Sequence, residues 1–425
     1  MRILYFHQFF ATRRRAHPTR SYEFARRFVA AGHEVTVVTR DVRHLEAGRE
    51  RGRRGGTGAF GGLMTRETVD GIDVVYLRMP YSNSMGKSAR LLSFAGFTLE
   101  AAVVGPLLGR PDVVLAEAQP LTIGIPGLLA ARLHGTPFVF EICDLWPYVP
   151  VAIGALRNPA LIRAATTLEE LLYDAAERVV VASQASWDNL VARGVPADKL
   201  ALVPNASDCD LFRPDNVDGD FRARHHLEGK FVALYTGAMG PANGLAQLVD
   251  AAAELRATGE DGVAIVAIGD GVQRPALATR ARELGLDNLL FLPPMPKDEL
   301  AGVVGAADVT LTLFAPNPAF ETTSPDKFFD SLAAGRPVVE NVGGWLRGVV
   351  ERSGSGLYVP AGDGLALGAA LAALQREPEL VAEMGGRARE LAEREYDRDL
   401  LATRLLETLA DAVARRGRNE RPVAR

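Results

Sequence analysis

Ala264-Ile265-Val266-Ala267-Ile268 runs directly into Gly269-Asp270-Gly271-Val272-Gln273-Arg274, and this junction decides the fold. A short apolar run without polar alternation reads as a strand buried on both faces, the habit of parallel sheets. The two glycines around Asp270 make a tight turn, and Arg274–Leu284 carries a helical pattern. A strand turning sharply into a helix is the repeating unit of a doubly wound α/β domain. Such domains place their ligands at the carboxyl ends of the strands.

The same alternation extends in both directions. Around the junction lie strand-like runs at Phe231–Tyr235, Leu289–Leu292, Val309–Leu313 and Val338–Val339, with helical patterns at Leu245–Ala257, Asp298–Gly305 and Lys327–Ala334. An earlier series comprises Ile3–Phe6, Val35–Val38, Val74–Leu77, Val113–Leu115, Phe138–Glu141, Val179–Val181 and Leu200–Val203. Helical patterns at Ser21–Ala31, Leu121–Leu133 and Leu161–Ala176 separate them. Between the two series, Pro204 to Gly229 is turn-rich and polar. The chain is therefore read as an N-terminal Rossmann-like domain (1–208), a linker (209–229) and a C-terminal Rossmann-like domain (230–390). Residues 391–425 are read as a charged amphipathic helix and tail packing back toward the first domain. The expected architecture is α/β, two Rossmann-like doubly wound domains facing across a cleft.

Composition narrows the function. At 425 residues, 48% of them hydrophobic and 24% charged, the chain is globular and large enough for two cores. A net charge of -4 gives no reason to expect nucleic acid as a partner. Cys143 and Cys209 lack metal-site spacing and cannot make a disulfide framework, which fits a reducing cytoplasm. The sequence opens on a strand, Met1-Arg2-Ile3-Leu4, rather than a signal peptide, and its apolar stretches fall short of the about 20 residues of a membrane span. Arg40–Arg66, rich in Arg and Gly and without periodicity, reads either as a mobile surface loop or as a basic lip. With Arg13-Arg14-Arg15, such a lip would meet an anionic acceptor or a phospholipid surface in peripheral contact.

Two segments carry chemistry. After the strand ending at Ile268, Gly269 and Gly271 let backbone approach an anion at a helix start, where Arg274 is placed to clamp a phosphate. An ordinary tight turn with a surface arginine is the competing reading. The second segment is Phe320-Glu321-Thr322-Thr323-Ser324-Pro325-Asp326-Lys327-Phe328-Phe329-Asp330, followed by Ala333-Ala334-Gly335-Arg336-Pro337. Thr323 or Ser324 is expected to cap the helix, with Pro325 in its first turn. Lys327 and Asp330, three apart, share a helical face one turn from its positive end. Lys327 suits a diphosphate, Asp330 ribose hydroxyls and Glu321 sugar hydroxyls; a solvated surface pair is the alternative for Lys327 and Asp330.

Taken in order, these segments resemble the donor half of retaining glycosyltransferases of the GT-B fold. The resemblance is to family 4, particularly the bacterial surface-polysaccharide transferases of N-acetylfucosamine-type aminosugars, and it extends along essentially the whole chain. In the first half it rests on His7-Gln8-Phe9-Phe10, Thr19–Arg27, Ala31-Gly32-His33-Glu34-Val35, Gln119-Pro120-Leu121-Thr122 and Asp144-Leu145-Trp146-Pro147, and at the hinge on Val203-Pro204-Asn205 through Phe212-Arg213-Pro214. The resemblance implies that Arg274 and Lys327 hold the donor diphosphate, Asp330 the ribose and Glu321 the transferred sugar. Pro294-Met295-Pro296 would lie against the base, which the resemblance implies is uracil. Gly237, Gly269, Gly271, Met295, Ser324 and Pro325 complete the donor set. No cofactor and no essential metal are implied. The acceptor, a saccharide or a lipid-linked saccharide, would dock on the first half, with His7, Arg20, Glu117, Asp144 and Tyr148 as candidates. His7 reads equally as a histidine capping the first strand, Asp144 as a turn cap, and Trp146 as a packing anchor.

The chain also departs from the family. Counted from Asp330, the spaced acid pair finds Thr322 in its first slot, with Glu321 one residue earlier. Thr236-Gly237-Ala238-Met239-Gly240 and Asn243-Gly244 supply neither the Arg nor the Lys that many relatives place after the first donor-domain strand. Arg13-Arg14-Arg15-Ala16-His17-Pro18 replaces a Gly-Gly loop, and no His stands at Leu115–Ala118. Two rival functions share the fold: a nucleotide-sugar 2-epimerase, which needs an acid and a base around the sugar ring, and a non-catalytic nucleotide-sugar-binding protein.

Overall fold

The computed structural model describes residues 1–15, 19–40, 64–79 and 86–419. These fall into two compact units. One comprises residues 1–12, 19–203 and 402 onward, and the other residues 204–401 together with 13–15. The Arg40–Arg66 reading lies mostly outside the described residues, at 41–63.

The first unit carries the strands β1 (Arg2–Phe6), β2 (Glu34–Arg40), β3 (Met64–Val69), β4 (Ile72–Leu77), β5 (Val113–Glu117), β6 (Phe138–Ile142), β7 (Arg178–Val181) and β8 (Leu200–Leu202). They form one sheet in the order β3-β4-β2-β1-β5-β6-β7-β8. Every pairing is parallel except β3 with β4, which turn through Asp70 and Gly71, both at positive φ. The parallel strands are apolar on both faces because helices cover both sides. β3 corrects the sequence reading of Arg40–Arg66 as aperiodic to its end. Met64-Thr65-Arg66-Glu67-Thr68-Val69 is an edge strand whose middle residues face solvent, so it lacks the apolar run of its neighbours.

The second unit carries β9 (Phe231–Thr236), β10 (Val263–Ile268), β11 (Leu289–Leu292), β12 (Val309–Thr312), β13 (Val338–Glu340) and β14 (Gly356–Tyr358), all parallel, in the order β11-β10-β9-β12-β13-β14. In both sheets the strand order reverses beside the first strand. The topological switch points therefore lie between β1 and β5 and between β9 and β12. The stretch read as a linker is part of this unit: Phe212, Phe221 and Leu227 are buried in its core, beside Val232, Phe328 and Phe329. Their burial holds 209–229 in place although the surrounding residues are polar.

From residue 402 the helix Arg398–Asn419 belongs to the first unit, where Asp411 pairs with Arg178 (3.1 Å) and Arg415 with Asp198 (3.3 Å). Among the described residues no helix is long and apolar enough to cross a membrane.

One core carboxyl has a measurable consequence. Glu340, at the end of β13, is fully buried; its Oε2 accepts from the Val342 N–H at 2.6 Å while Oε1 meets no donor among the described residues. Burial raises its pKa to about 8. Between the ordinary carboxylate range and pH 8 the folded state keeps a proton that the unfolded chain releases, so stability falls as pH rises through this window. Glu340→Gln is expected to remove that slope, gaining on the order of 1–3 kcal/mol over the wild type at pH 8.5. Urea unfolding of both proteins at pH 5 and 8.5 checks this; an equal difference at the two pH values would refute it.

Candidate functional site

In the second unit, the loops after β9 and β10 are zipped together beyond the strand ends. Gly237 N–H donates to Ile268 O (2.9 Å), and Met239 N–H to Asp270 O (2.8 Å). Glycine is required here: a Cβ on Gly269 (φ 148°) would stand 1.9 Å from Gly237 O, and one on Gly271 2.4 Å from Met239 O. This close approach brings the backbone to the start of the helix Arg274–Glu283, which has no side-chain cap. Arg274 reaches Phe291 O through Nη2 at a long 3.3 Å, and its Nε is buried with no acceptor among the described residues. A buried guanidinium N–H left unmatched costs free energy until an anion supplies the acceptor.

Lys327 sits at the β9/β12 switch point from the first turn of the helix Asp326–Ala333. Its Nζ donates to Tyr235 Oη (2.9 Å), lies 4.1 Å from the Tyr235 ring centroid, and is 3.1 Å from where a Gly237 Cβ would be. No ion pair reaches it among the described residues, and burial lowers its pKa to about 7, against the opposing pull of Asp326. A second cation thus stands under-compensated at the same strand ends.

Asp330 is turned elsewhere. Its Oδ1 accepts from Ser207 Oγ (2.9 Å) and faces Lys297 Nζ (3.4 Å), and burial raises its pKa to about 6 in spite of Lys297. Lys327 and Asp330 therefore do not form the surface pair that their spacing also allowed. The expected side-chain cap is absent too. Pro325 occupies the capping position, Ser324 Oγ accepts from the Asn205 N–H (3.1 Å), and Thr323 Oγ1 donates to Phe320 O (2.8 Å). Asn205 also donates its side-chain N–H to Ser324 O, which draws Ser324 away from the helix start.

Glu321 is exposed on the turn Pro318–Thr322 and lies against Gly343, where an added Cβ would be 2.9 Å from its Oε1. It lines a recess of about 220 Å³ with Phe314, Asn341 and Tyr358. Thr322, which holds the first slot counted from Asp330, is buried and donates to Ala319 O (2.9 Å). Met295 is half-buried in the turn after β11, packed on the core.

In the first unit, three acceptor-side candidates meet at the β1/β5 switch point. His7 Nε2 lies 3.3 Å from Glu117 Oε1 and its Nδ1 2.5 Å from Ser21 Oγ; burial lowers its pKa to about 4, so the ring is neutral. A neutral ring donates Nε2–H to Glu117 and accepts the Ser21 hydroxyl. Arg20 donates to Glu141 Oε1 through Nε (2.9 Å) and Nη2 (2.6 Å), and to Val203 O (2.8 Å). Tyr5 Oη bridges Glu117 (2.9 Å) and Glu141 (3.1 Å), and Cys143 Sγ donates to Glu117 at 3.3 Å. Burial raises Glu141, with Arg20 opposing, and raises Cys143. Asp144 is half-buried, its carboxyl raised by burial and then by Glu117. Tyr148 is exposed at the start of the short helix Tyr148–Ala152, away from this network's hydrogen bonds.

Sequence reasoning missed Tyr5, Ser21, Glu141 and Cys143 here, and Tyr235, Ser207 and Lys297 in the second unit. Tyr5 and Tyr235 carried a faint signal, a phenol one residue before the carboxyl end of a largely apolar strand. Lys297 followed the Pro294-Met295-Pro296 turn directly.

Comparison with known proteins agrees with this anatomy. A "Glycosyl transferase 4-like domain" model matches residues 17–206, and a "Glycosyl transferases group 1" model matches residues 230–377. A GDP-mannose-dependent alpha-mannosyltransferase of Mycobacterium tuberculosis is 28% identical over 253 residues, 60% of this chain and 61% of that protein. A D-inositol 3-phosphate glycosyltransferase of Thermobispora bispora is 28% identical over 411 residues, 92% of this chain and 89% of that protein. Among solved structures, sucrose-phosphate synthase from Thermosynechococcus elongatus superposes with a TM-score of 0.75 at 16% identity, covering 97% of this chain and 99% of that one. Anabaena HepE in complex with UDP-glucose gives 0.70 at 18% identity, covering 97% and 100%. These structures share the two-domain fold. The chain belongs to the glycosyltransferases of the GT-B fold, with a glycosyl transferase 4-like first half and a group 1 second half.

Proposed function

We propose that the protein transfers a sugar from a UDP-linked donor to a saccharide or lipid-linked acceptor with retention, without an essential metal or other cofactor. The observation that carries this reading is a pair of cations at glycine-walled strand ends, Arg274 with its Nε unmatched and Lys327 without an ion pair among the described residues. Breaking the sugar–phosphate bond builds negative charge on the departing diphosphate. Two cations and a helix start that meet this charge stabilise the transition state more than the ground state. The anomeric carbon–oxygen bond to phosphate breaks, a bond to the acceptor oxygen forms on the same face, and the acceptor's proton passes to the leaving diphosphate. Such a course needs phosphate-holding groups rather than a strong side-chain base. Uridine is favoured as the base by the UDP-glucose complex of the HepE neighbour. Asp330 would offer its carboxylate to the ribose in place of Ser207, Met295 would lie against the base, and Glu321 would face the sugar from its recess. For the sugar we propose an N-acetylated aminosugar. Two free buried cysteines suit action in the cytoplasm.

Calorimetric titration with UDP, GDP and dTDP in the presence of a chelator tests the donor reading. UDP is expected to bind, and GDP and dTDP to bind at least tenfold more weakly (about 1.4 kcal/mol). A donor panel of UDP-N-acetylaminosugars beside UDP-glucose then tests the sugar. Absence of binding by every nucleotide would end the proposal.

A further inference from the structure

Lys297 opens the helix Lys297–Ala306 of the second unit, directly after the Pro294-Met295-Pro296 turn, yet its side chain is buried rather than spread into solvent. A buried cation costs free energy unless an opposite charge receives it. Three contacts fix where Lys297 points. Its backbone N–H donates to Arg13 O (3.0 Å), its Nζ lies 5.3 Å from the Phe212 ring centroid, and the same Nζ stands 3.4 Å from Asp330 Oδ1. Phe212 is itself fully buried, so the stem is packed and the charge is delivered to Asp330. No other carboxylate pairs with Lys297 among the described residues.

Asp330 is buried as well, and Ser207 Oγ donates to the same oxygen (2.9 Å), while no hydrogen bond reaches Oδ2 among the described residues. Burial raises this carboxyl to about 6, and Lys297 is the chief opposing influence. The other charges that face it are Asp326, one turn earlier on its own helix, and Arg398. Arg398 is already engaged by Asp208 (3.5 Å) and by Ala206 O, and Lys327 turns away to Tyr235. We propose that Lys297 is the positioning residue of the ribose site, holding the Asp330 carboxylate charged and in place while ribose hydroxyls take over from Ser207. Exchanging one hydroxyl for another is cheap, because the carboxylate keeps its cation throughout. A charged acceptor also binds a hydroxyl more strongly than a neutral carboxyl does. Lys297 acts through Asp330, so the inference rests on the assignment of Asp330 to the donor ribose.

Calorimetric titration of the full chain with UDP and with 2′,3′-dideoxy-UDP, from pH 5 to pH 9, tests it. The ratio of the two affinities isolates the ribose hydroxyls, since titration of Lys327 and of the diphosphate is common to both ligands. The wild type is expected to prefer UDP by about 10–100-fold above pH 7, the usual worth of hydrogen bonds to a charged group. The ratio should fall toward pH 5 as Asp330 takes a proton. Lys297→Met and Lys297→Gln both remove the cation, the second keeping a hydrogen-bond donor should the first not fold. Without the cation the carboxyl holds its proton to higher pH. The midpoint of the ratio should therefore move up by about one pH unit or more, with the full ratio restored by pH 9. Asp330→Asn should lower the ratio at every pH. A wild type that binds both ligands equally, or an Asp330→Asn variant with the wild-type ratio, would take Asp330 off the ribose and end the inference with that assignment. A wild-type ratio in the expected range with an unmoved midpoint in the Lys297 variants would overturn the role of Lys297 and leave the ribose assignment standing. So would a loss in those variants that pH 9 does not restore, the sign of a residue needed only for structure.

Discussion

Lys327→Met and Arg274→Ala are each expected to lower turnover by about 10²–10³-fold, the usual loss when one preorganised donor to a developing oxyanion is removed. Lys327 gives the sharper case because its stability and its function should move in opposite directions. Its ammonium is partly buried, rests on Tyr235, and has a pKa lowered to about 7 by burial. In the unfolded chain the same group stays protonated up to the ordinary lysine range, a little above pH 10. Between pH 7 and that range the unfolded state binds more protons, so stability rises with pH there, and the full penalty of charging a buried amine is present below pH 7. Lys327→Met removes the penalty and keeps the volume. The variant should therefore melt at or above the wild-type temperature at pH 6, while nucleotide affinity and turnover collapse. Thermal unfolding at pH 6 and 9, paired with calorimetric titration of UDP, reads both quantities. A structural lysine would show the reverse, a lowered melting temperature with binding kept. Arg274→Ala should also weaken binding with little change in stability, since among the described residues its side chain makes only the weak 3.3 Å bond to Phe291 O.

The doubly wound architecture was legible because parallel strands covered on both sides must be apolar throughout, as β10 is from Val263 to Ile268. Where that condition lapses, the pattern goes silent. β3 exposes Arg66, Glu67 and Thr68 at a sheet edge, and β14 has three residues, each half-buried. Phe212, Phe221 and Leu227 are isolated apolar residues in a polar stretch, and only tertiary packing reveals them as core. The cluster of Gly269, Gly271, Arg274 and Lys327 at the strand ends was readable as a candidate because the first three are neighbours in sequence, and Lys327 follows a proline at a helix start. The engagement of Asp330 by Ser207 and Lys297 was not readable, since those partners lie 123 and 33 residues away. For the same reason, the Glu117–Tyr5–Glu141 network, spanning more than a hundred residues of sequence, leaves no local trace.

That network yields the largest expected stability effect. Arg20 is buried, and its guanidinium makes two bonds to one oxygen of a fully buried Glu141 and a third to Val203 O. Glu141 and Glu117 share the hydroxyl of Tyr5, so two carboxylates compete in one buried space with Arg20 as the cation bonded to Glu141. Arg20→Ala leaves Glu141 with Tyr5 as its remaining side-chain partner among the described residues, and breaking a buried pair from one side costs about 3–5 kcal/mol. The cost should depend on pH. Burial already raises the Glu141 carboxyl, with Arg20 the chief opposing influence. Without Arg20 its pKa climbs further, and the orphaned carboxyl escapes the penalty by taking a proton as pH falls. The destabilisation should thus be larger at pH 8 than at pH 5, and Arg20→Ala/Glu141→Gln should recover part of it at pH 8. Urea unfolding of the wild type, both single variants and the double variant at these two pH values measures the coupling directly. A loss below about 1 kcal/mol at pH 8, together with a raised KM for acceptor, would mean that Arg20 serves the acceptor rather than the fold.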